Sequence, residues 1–296
     1  LIKGNIMNLK PIATLSALLL SGSVFAQTLV TVNGTNIDSS EIDRRAQFTQ
    51  QRSQGQVIDG PELRQFLVRE MVVETVVSQE ARRLRLNESK AYKEVQAEAL
   101  KEAKVRGEDK KPDFKVNWNA FENQLLMMAF ADNVLTKNPV NDAQVEREYN
   151  EIKSRYNGTD EVQIGQIVTQ QTSQAQAAVK ELAAKKSFAS VAKKYTIDPD
   201  VKAGAPVFGE YVAMVDLKEK RPQIYQAIAG LKKGEYTKTP ISGEQIQVIF
   251  YVNDKRPITV EPFEQLRESI YGALSNERIQ SAIDGLIQKA NIVPAK

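Results

Sequence analysis

The chain has no cysteine and no histidine among its 296 residues, and those two gaps exclude more chemistry than any single motif in it offers. Without a thiol there is no disulfide, no cysteine nucleophile, no thiolate metal site and no lipid carried on a signal-peptide cysteine. Without an imidazole, no Ser-His-Asp or Cys-His set can form and an ordinary zinc site loses its ligands. The side chain that most often moves protons near neutral pH is also missing. Binding and conformational chemistry, which need no proton shuttle, therefore rise. No excess of one charge is present either: 40 Lys and Arg face 37 Asp and Glu, which leaves no footprint for nucleic acid. After the first residues no apolar run approaches the ~20 residues of a membrane-spanning helix, so no stable membrane insertion is expected.

What is present begins with an export signal. From Met7, Lys10 supplies a positive start, Ile12 to Leu20 an apolar run, and Ser21-Gly22-Ser23 a break. Val24-Phe25-Ala26 then has the spacing of small or slender side chains that a signal peptidase accepts. Residues 7–26 read as a cleavable signal peptide, cut after Ala26. Read as a membrane anchor, the run has about half the ~20 residues required. Leu1 to Ile6 precede that methionine and carry no fold information. Losing residues 1–26 removes Lys3 and Lys10 and no acid, which brings the net charge from +3 to +1. A mature chain of about 270 residues suits two modest domains, or one domain with an insertion. A cysteine-free exported chain fits a bacterial cell envelope.

Leu29-Val30-Thr31-Val32 alternates as a strand, Asn33-Gly34 signals a turn, and Thr35-Asn36-Ile37 answers as the return strand. Asp38 and Glu41 form a capping box for the helix that follows. After Gly60-Pro61 a longer helix carries Leu63, Phe66, Leu67, Met71 and Val77 at helical spacing. Val72, Val73 and Val76 widen its stripe, which predicts packing on two sides. Helices are expected over Asn87 to Lys104 and Trp118 to Leu135, with Met127 and Met128 in the core rather than on a soft binding surface. A further helix follows Pro139, where Asn141 and Gln144 make a second capping pair.

The pattern changes after Asn157-Gly158-Thr159. Val162 to Val168 alternates like a strand, Ser173 to Lys185 and Phe188 to Tyr195 read as helices, Arg221 to Leu231 as a third helical piece, and Gln245 to Val252 as a strand rich in β-formers. The expected boundaries are 27–156 for a helical domain, 157–258 for an α+β domain and 259–296 for a C-terminal helix. That last helix carries Phe263, Leu266, Ile270, Leu274, Ile279, Ile283 and Leu286, a stripe that must be covered. It is expected to pack on the N-terminal helices and make the α+β unit an insertion. An independent tail or a dimerisation arm is the alternative. The Asn-x-Ser/Thr matches at Asn33, Asn87 and Asn157 are explained by chance.

Several motifs together resemble the SurA-type periplasmic chaperones and related foldases, which carry a parvulin prolyl-isomerase domain beside a helical chaperone domain. The opening strand-Asn33-Gly34-helix piece is similar to theirs, as is Pro139-Val140-Asn141-Asp142-Ala143-Gln144-Val145 leading to Tyr149. Phe188 to Tyr195 with Thr196-Ile197-Asp198-Pro199 resembles the parvulin helix and its Asp-Pro turn. Leu231-Lys232-Lys233-Gly234-Glu235 and Pro240-Ile241 resemble the Leu-x-x-Gly-Glu turn and the strand after it. The resemblance implies an α+β fold: a helical SurA-like chaperone domain, built from the N-terminal helices and the C-terminal helix, with an inserted parvulin-like domain. This chain departs from it where the family's two usual histidines stand, at Gln166 and Val248, and where Gly-Gly-Asp-Leu-Gly is replaced by Ala205-Pro206-Val207-Phe208-Gly209.

Prolyl isomerisation breaks no bond. It needs a dry apolar seat for the pyrrolidine ring and polar groups that favour the twisted amide, whose uncatalysed exchange takes tens to hundreds of seconds. The resemblance places Asp198, Gln166 and Thr196 at the catalytic position and Phe208, Met214, Leu217, Ile224 and Val248 around the substrate, with no cofactor and no metal. Each has a plainer reading: Phe208 and Ile224 as core, Asp198 as a turn residue, Gln166 as a solvent-facing strand residue. The implied partners are unfolded or extended polypeptides with X-Pro bonds, outer-membrane protein precursors among them, met in the periplasm. The function is either a peptidyl-prolyl isomerase and folding factor, or a catalytically silent holdase on the same fold. An unrelated exported scaffold is a third reading.

Overall fold

A computed structural model describes residues 27–295; the expected signal peptide at 7–26 lies outside the described residues. The chain opens with β1 (Thr28–Val32), β2 (Thr35–Asp38), α1 (Ser39–Arg52), α2 (Pro61–Arg83), α3 (Lys90–Val105) and α4 (Phe114–Lys137). It continues with α5 (Asp142–Tyr156), β3 (Asp160–Thr169), α6 (Thr172–Ala183), α7 (Phe188–Tyr195) and the single turn α8 (Pro199–Lys202). Then come β4 (Phe208–Ala213), α9 (Met214–Lys220), α10 (Pro222–Ile228), β5 (Ile241–Ser242), β6 (Gln247–Pro257), α11 (Phe263–Lys289) and β7 (Ile292–Pro294). Two compact units result. One holds the described residues up to Asp142 together with those from Ser269 on; the other is Ala143–Glu268.

The first unit is organised by α2. Leu67, Val72 and Val76 on one side of this helix join Val30, Val32, Ile37, Ile42 and Ala46 in one core. Val73, Val77 and Ala81 on the other side join Tyr92, Leu125, Leu126, Phe130 and Ile283 in a second. The wide valine stripe is thus packed on both flanks, each fully buried aliphatic contributing roughly 1.5–3 kcal/mol. Ile279, Ile283, Leu286 and Ile287 of α11 cover the second core and Leu286 reaches the first, so the long C-terminal helix completes this unit. No helix among the described residues is long and apolar enough to cross a membrane.

Three local expectations differ from the structure. Asp38 stands at the N-cap of α1 without capping it; its Oδ1 instead accepts from the Thr28 hydroxyl at 2.8 Å, because β2 runs directly into the helix and presents Asp38 to β1. Met128 is 61% exposed: it is one position past Met127, which packs on the second core, and one step along a helix turns a side chain by about 100°. The segment from Arg221 to Leu231 yields α10 only as far as Ile228, and α9 precedes it. The Pro222 ring starts a new helix at its first position.

β7 was not foreseen. It adds to β1 on the side away from β2, giving the order β2-β1-β7 with all pairs antiparallel. Asn33 locks the junction: it adopts a left-handed conformation (φ 49°) ahead of Gly34 (φ 83°), as the tight turn requires. Its backbone N–H donates to the Asn291 carbonyl at 2.8 Å, and its side-chain oxygen accepts from the Asn291 N–H at 2.8 Å.

The second unit is a four-stranded antiparallel sheet of order β4-β3-β6-β5. Its central pair is long, running from Asp160 opposite Pro257 to Thr169 opposite Gln247. Successive residues of β6 point to opposite faces. Ile249 and Tyr251 join the core under α6 and α7, while Val248, Phe250 and Val252 join the core under α9 and α10.

Candidate functional site

The α9/α10 face of the sheet gathers five of the expected site residues. Met214 and Leu217 on α9 are buried, and Ile224 on α10 packs beside them against Phe250, Val252 and Val248. Val248 lies opposite both Val168 of β3 and Ile241 of β5. Gln166 lies opposite Phe250, and residues directly across an antiparallel pair share a face, so Gln166 is on this same side. It is exposed, and its side-chain amide makes no hydrogen bond among the described residues. Chemically, this is an apolar core in which Met214, Leu217 and Phe250 are buried and Val248 and Ile224 partly exposed, with one unengaged amide on the same face of the sheet.

Thr196 and Asp198 are held at the end of β3 by a strand-like loop. The Ile197 N–H donates to the Val168 carbonyl at 2.8 Å. The buried Thr196 hydroxyl oxygen accepts from the Val168 N–H at 3.3 Å and from the Asp198 N–H at 3.2 Å. Thr196 is thereby a pin that fixes the turn. The Asp198 carboxylate caps α8, accepting from Asp200 N–H at 3.0 Å and Val201 N–H at 3.4 Å, which is the role of an ordinary N-cap. Its free valences remain available to solvent, since it is only partly buried.

Phe208 does not join this group. Its ring stacks with Phe188 at 5.6 Å between centroids and lies 5.9 Å from Tyr251, in the core under α6 and α7 on the opposite side of the sheet. The cause is a bulge. Tyr211 faces Gln163, yet Phe208, not Gly209, faces Gly165, and one extra residue in a strand moves the next side chain to the other face. The expectation that Phe208 and Ile224 line one pocket is therefore corrected: Ile224 is on the α9/α10 face and Phe208 is core on the other.

The turn between α10 and β5 is also built from side chains. Gly234 takes φ 86° and its N–H donates to the Val252 carbonyl at 2.8 Å, while a Glu235 carboxylate oxygen accepts from the Lys232 N–H at 2.7 Å. The buried Thr237 then brackets Phe250, donating its N–H to the Phe250 carbonyl at 2.9 Å and accepting the Phe250 N–H on its hydroxyl at 3.0 Å. These bonds hold β6, and with it Val248 and Phe250, in register beneath α10.

One group of polar residues escaped the sequence reading. Tyr211, Gln163 and Asp254 stand abreast on β4, β3 and β6. The Tyr211 hydroxyl donates to Asp254 at 2.6 Å, Lys233 reaches the same carboxylate at 2.8 Å, and the Arg256 guanidinium lies 3.9 Å from the Tyr211 ring centroid. The Lys233 ammonium first, then the Tyr211 hydroxyl, hold the Asp254 carboxyl down at about 2, because both stabilise its charged form. Only the pairing register brings these residues together, and no local motif announces it.

Residues 140–268 match the family model of the PPIC-type PPIase domain. The chain is 26% identical over 286 residues, covering 96% of this chain and all of the relative, to a probable parvulin-type peptidyl-prolyl cis-trans isomerase of Bordetella bronchiseptica. It is 23% identical to the foldase protein PrsA of Clostridium botulinum, covering 88% of this chain and 85% of the relative. Among solved structures, a SurA-like chaperone of Campylobacter jejuni aligns at 19% identity and a TM-score of 0.33, covering 89% of this chain and 96% of that one. The α+β unit, Ala143–Glu268, thus lies wholly within the stretch that matches the PPIC-type PPIase domain.

Proposed function

We propose that the chain is an exported, periplasmic peptidyl-prolyl isomerase and folding factor that acts on unfolded polypeptides, outer-membrane protein precursors among them. The observation that carries the catalytic part is the unengaged amide of Gln166, on the same sheet face as the apolar bed that the partly exposed Val248 and Ile224 offer in front of the buried Phe250. A prolyl ring seated on that bed leaves water, and the Gln166 amide donates to the substrate where the twisted amide concentrates charge, which favours the twisted state over either planar one. No proton transfer is needed, so the chemistry works without histidine. Export rests on the sequence of residues 7–26.

A second reading is a silent holdase, favoured by two observations. Val248 offers no hydrogen bond where the family has a histidine, and the Asp198 carboxylate is engaged in capping α8.

The test is catalysed cis/trans exchange of an X-Pro peptide panel followed by NMR with the full mature chain. The expected result is acceleration that falls at least tenfold in Gln166→Leu and in Ile224→Ala, with Asp198→Ala as a comparison. No acceleration on any peptide, with aggregation of an unfolded outer-membrane protein still suppressed, establishes the holdase instead.

A further inference from the structure

The α+β unit contains a concavity at some distance from Gln166. It lies at the first residues of β3, between α9 and the end of α10, and has a volume of about 320 Å³, at the small end for ligand sites and suited to one or two side chains. Met214, Val215 and Tyr225 supply its apolar wall, and Lys218, Lys255 and Asp160 its charged rim. The rim thus carries two ammonium groups and one carboxylate, and neither ammonium is closely matched. Lys255 stands 3.7 Å from Asp160 and donates to the Ala229 carbonyl at 3.4 Å, both long contacts. Lys218 has no carboxylate within ion-pair reach among the described residues; its ammonium lies 6.0 Å from the centre of the Tyr225 ring. The cavity therefore has an uncompensated positive charge above an apolar floor.

We propose that this cavity takes the side chain of a glutamate or aspartate in a bound extended polypeptide, with an adjoining apolar residue against Met214 and Tyr225. A planar carboxylate matches two point charges without the bidentate fork that an arginine would bring. The inference rests on the reading of the unit as a binder of extended clients and adds a second anchor to it. Asp160 and Gln166 are six residues apart on β3, about 20 Å at a strand's rise, so the acid lies at least about six residues from the proline that reaches Gln166.

The test uses the full mature chain and fluorescently labelled peptides, acetylated and amidated at their ends, with one proline and, eight residues away, Glu, Gln or Lys beside a leucine. Binding is measured by anisotropy at low and at raised salt. The Glu peptide is expected to bind about two- to fivefold more tightly than the Gln peptide, the range open to partly exposed charge pairs. That margin is expected to vanish in Lys218→Ala and to pass to the Lys peptide in Lys218→Glu. Equal binding of the Glu and Gln peptides, a margin that survives Lys218→Glu, or a preference that appears only when the peptide carries a free C-terminal carboxylate overturns the proposal. Prolyl exchange measured on the same peptides separates the two readings: a Glu margin without any acceleration removes the isomerase and keeps the cavity.

Discussion

A methyl group added to Gly165 would stand 2.5 Å from Cε1 of Phe188. Neither side can give way. Phe188 is stacked on Tyr251 with centroids 4.5 Å apart, and the Val207 carbonyl oxygen would lie 2.9 Å from the same methyl. Gly165→Ala is expected to destabilise the parvulin unit by about 1–3 kcal/mol through overpacking. Urea unfolding followed through the tyrosine signal of this unit reads the change in midpoint.

Phe208 and Ile224 are expected to separate stability from binding. Phe208→Ala opens a void beside Phe188 and costs about 3 kcal/mol, while the folded protein binds proline peptides as before. Ile224→Ala, on the α9/α10 face, costs less stability and weakens peptide binding. Thermal unfolding and peptide titration on both variants check the division; equal loss of binding in the two places Phe208 in the site after all.

Asp254 makes a prediction about acid. Its carboxyl titrates in the folded chain at about 2, below the ordinary range near ~4 that it regains on unfolding. A depressed value means that the stabilisation is complete above about pH 4 and is lost as pH falls through about 2. Unfolding midpoints between pH 5 and 2 are expected to fall more steeply in the wild type than in Asp254→Asn, which already lacks the charge that Lys233 and Tyr211 hold.

Removing residues 291–296 takes away β7 and bares the β1 edge. The helical unit is expected to lose stability and to gain rapid amide exchange at Thr31 and Asn33, whose bonding partners lie in the removed segment. Hydrogen exchange on the truncated chain, with Asn33→Ala as a milder version, reads both.

How much of this was legible follows the range of the interactions. The two-sided packing of α2 is written in the spacing of Val72, Val73, Val76 and Val77, and α11 declares its need for a partner in its own stripe, because a helix repeats its face every few residues. β7 has three residues and no period to read; it exists because Asn33 and Asn291 meet. The side to which Phe208 turns depends on a bulge against Gln163 and Gly165, and strand alternation alone gives the opposite answer. That Gln166 and Val248 lie on strands was legible from the alternating pattern, whereas the Tyr211, Asp254 and Lys233 cluster is a product of register across three separate segments.

The β2-β1-β7 sheet joins the first described strand to the last, and this sets an order in time. A chain delivered from its N-terminus holds every residue of Ala143–Glu268 before Ile292 arrives. The parvulin unit is therefore able to fold while β1 still waits for its outer neighbour, and domains generally do fold as units during delivery. The helical unit closes only when the far end of the chain returns to it, so an interrupted copy carries a formed isomerase domain beside an unfinished helical one.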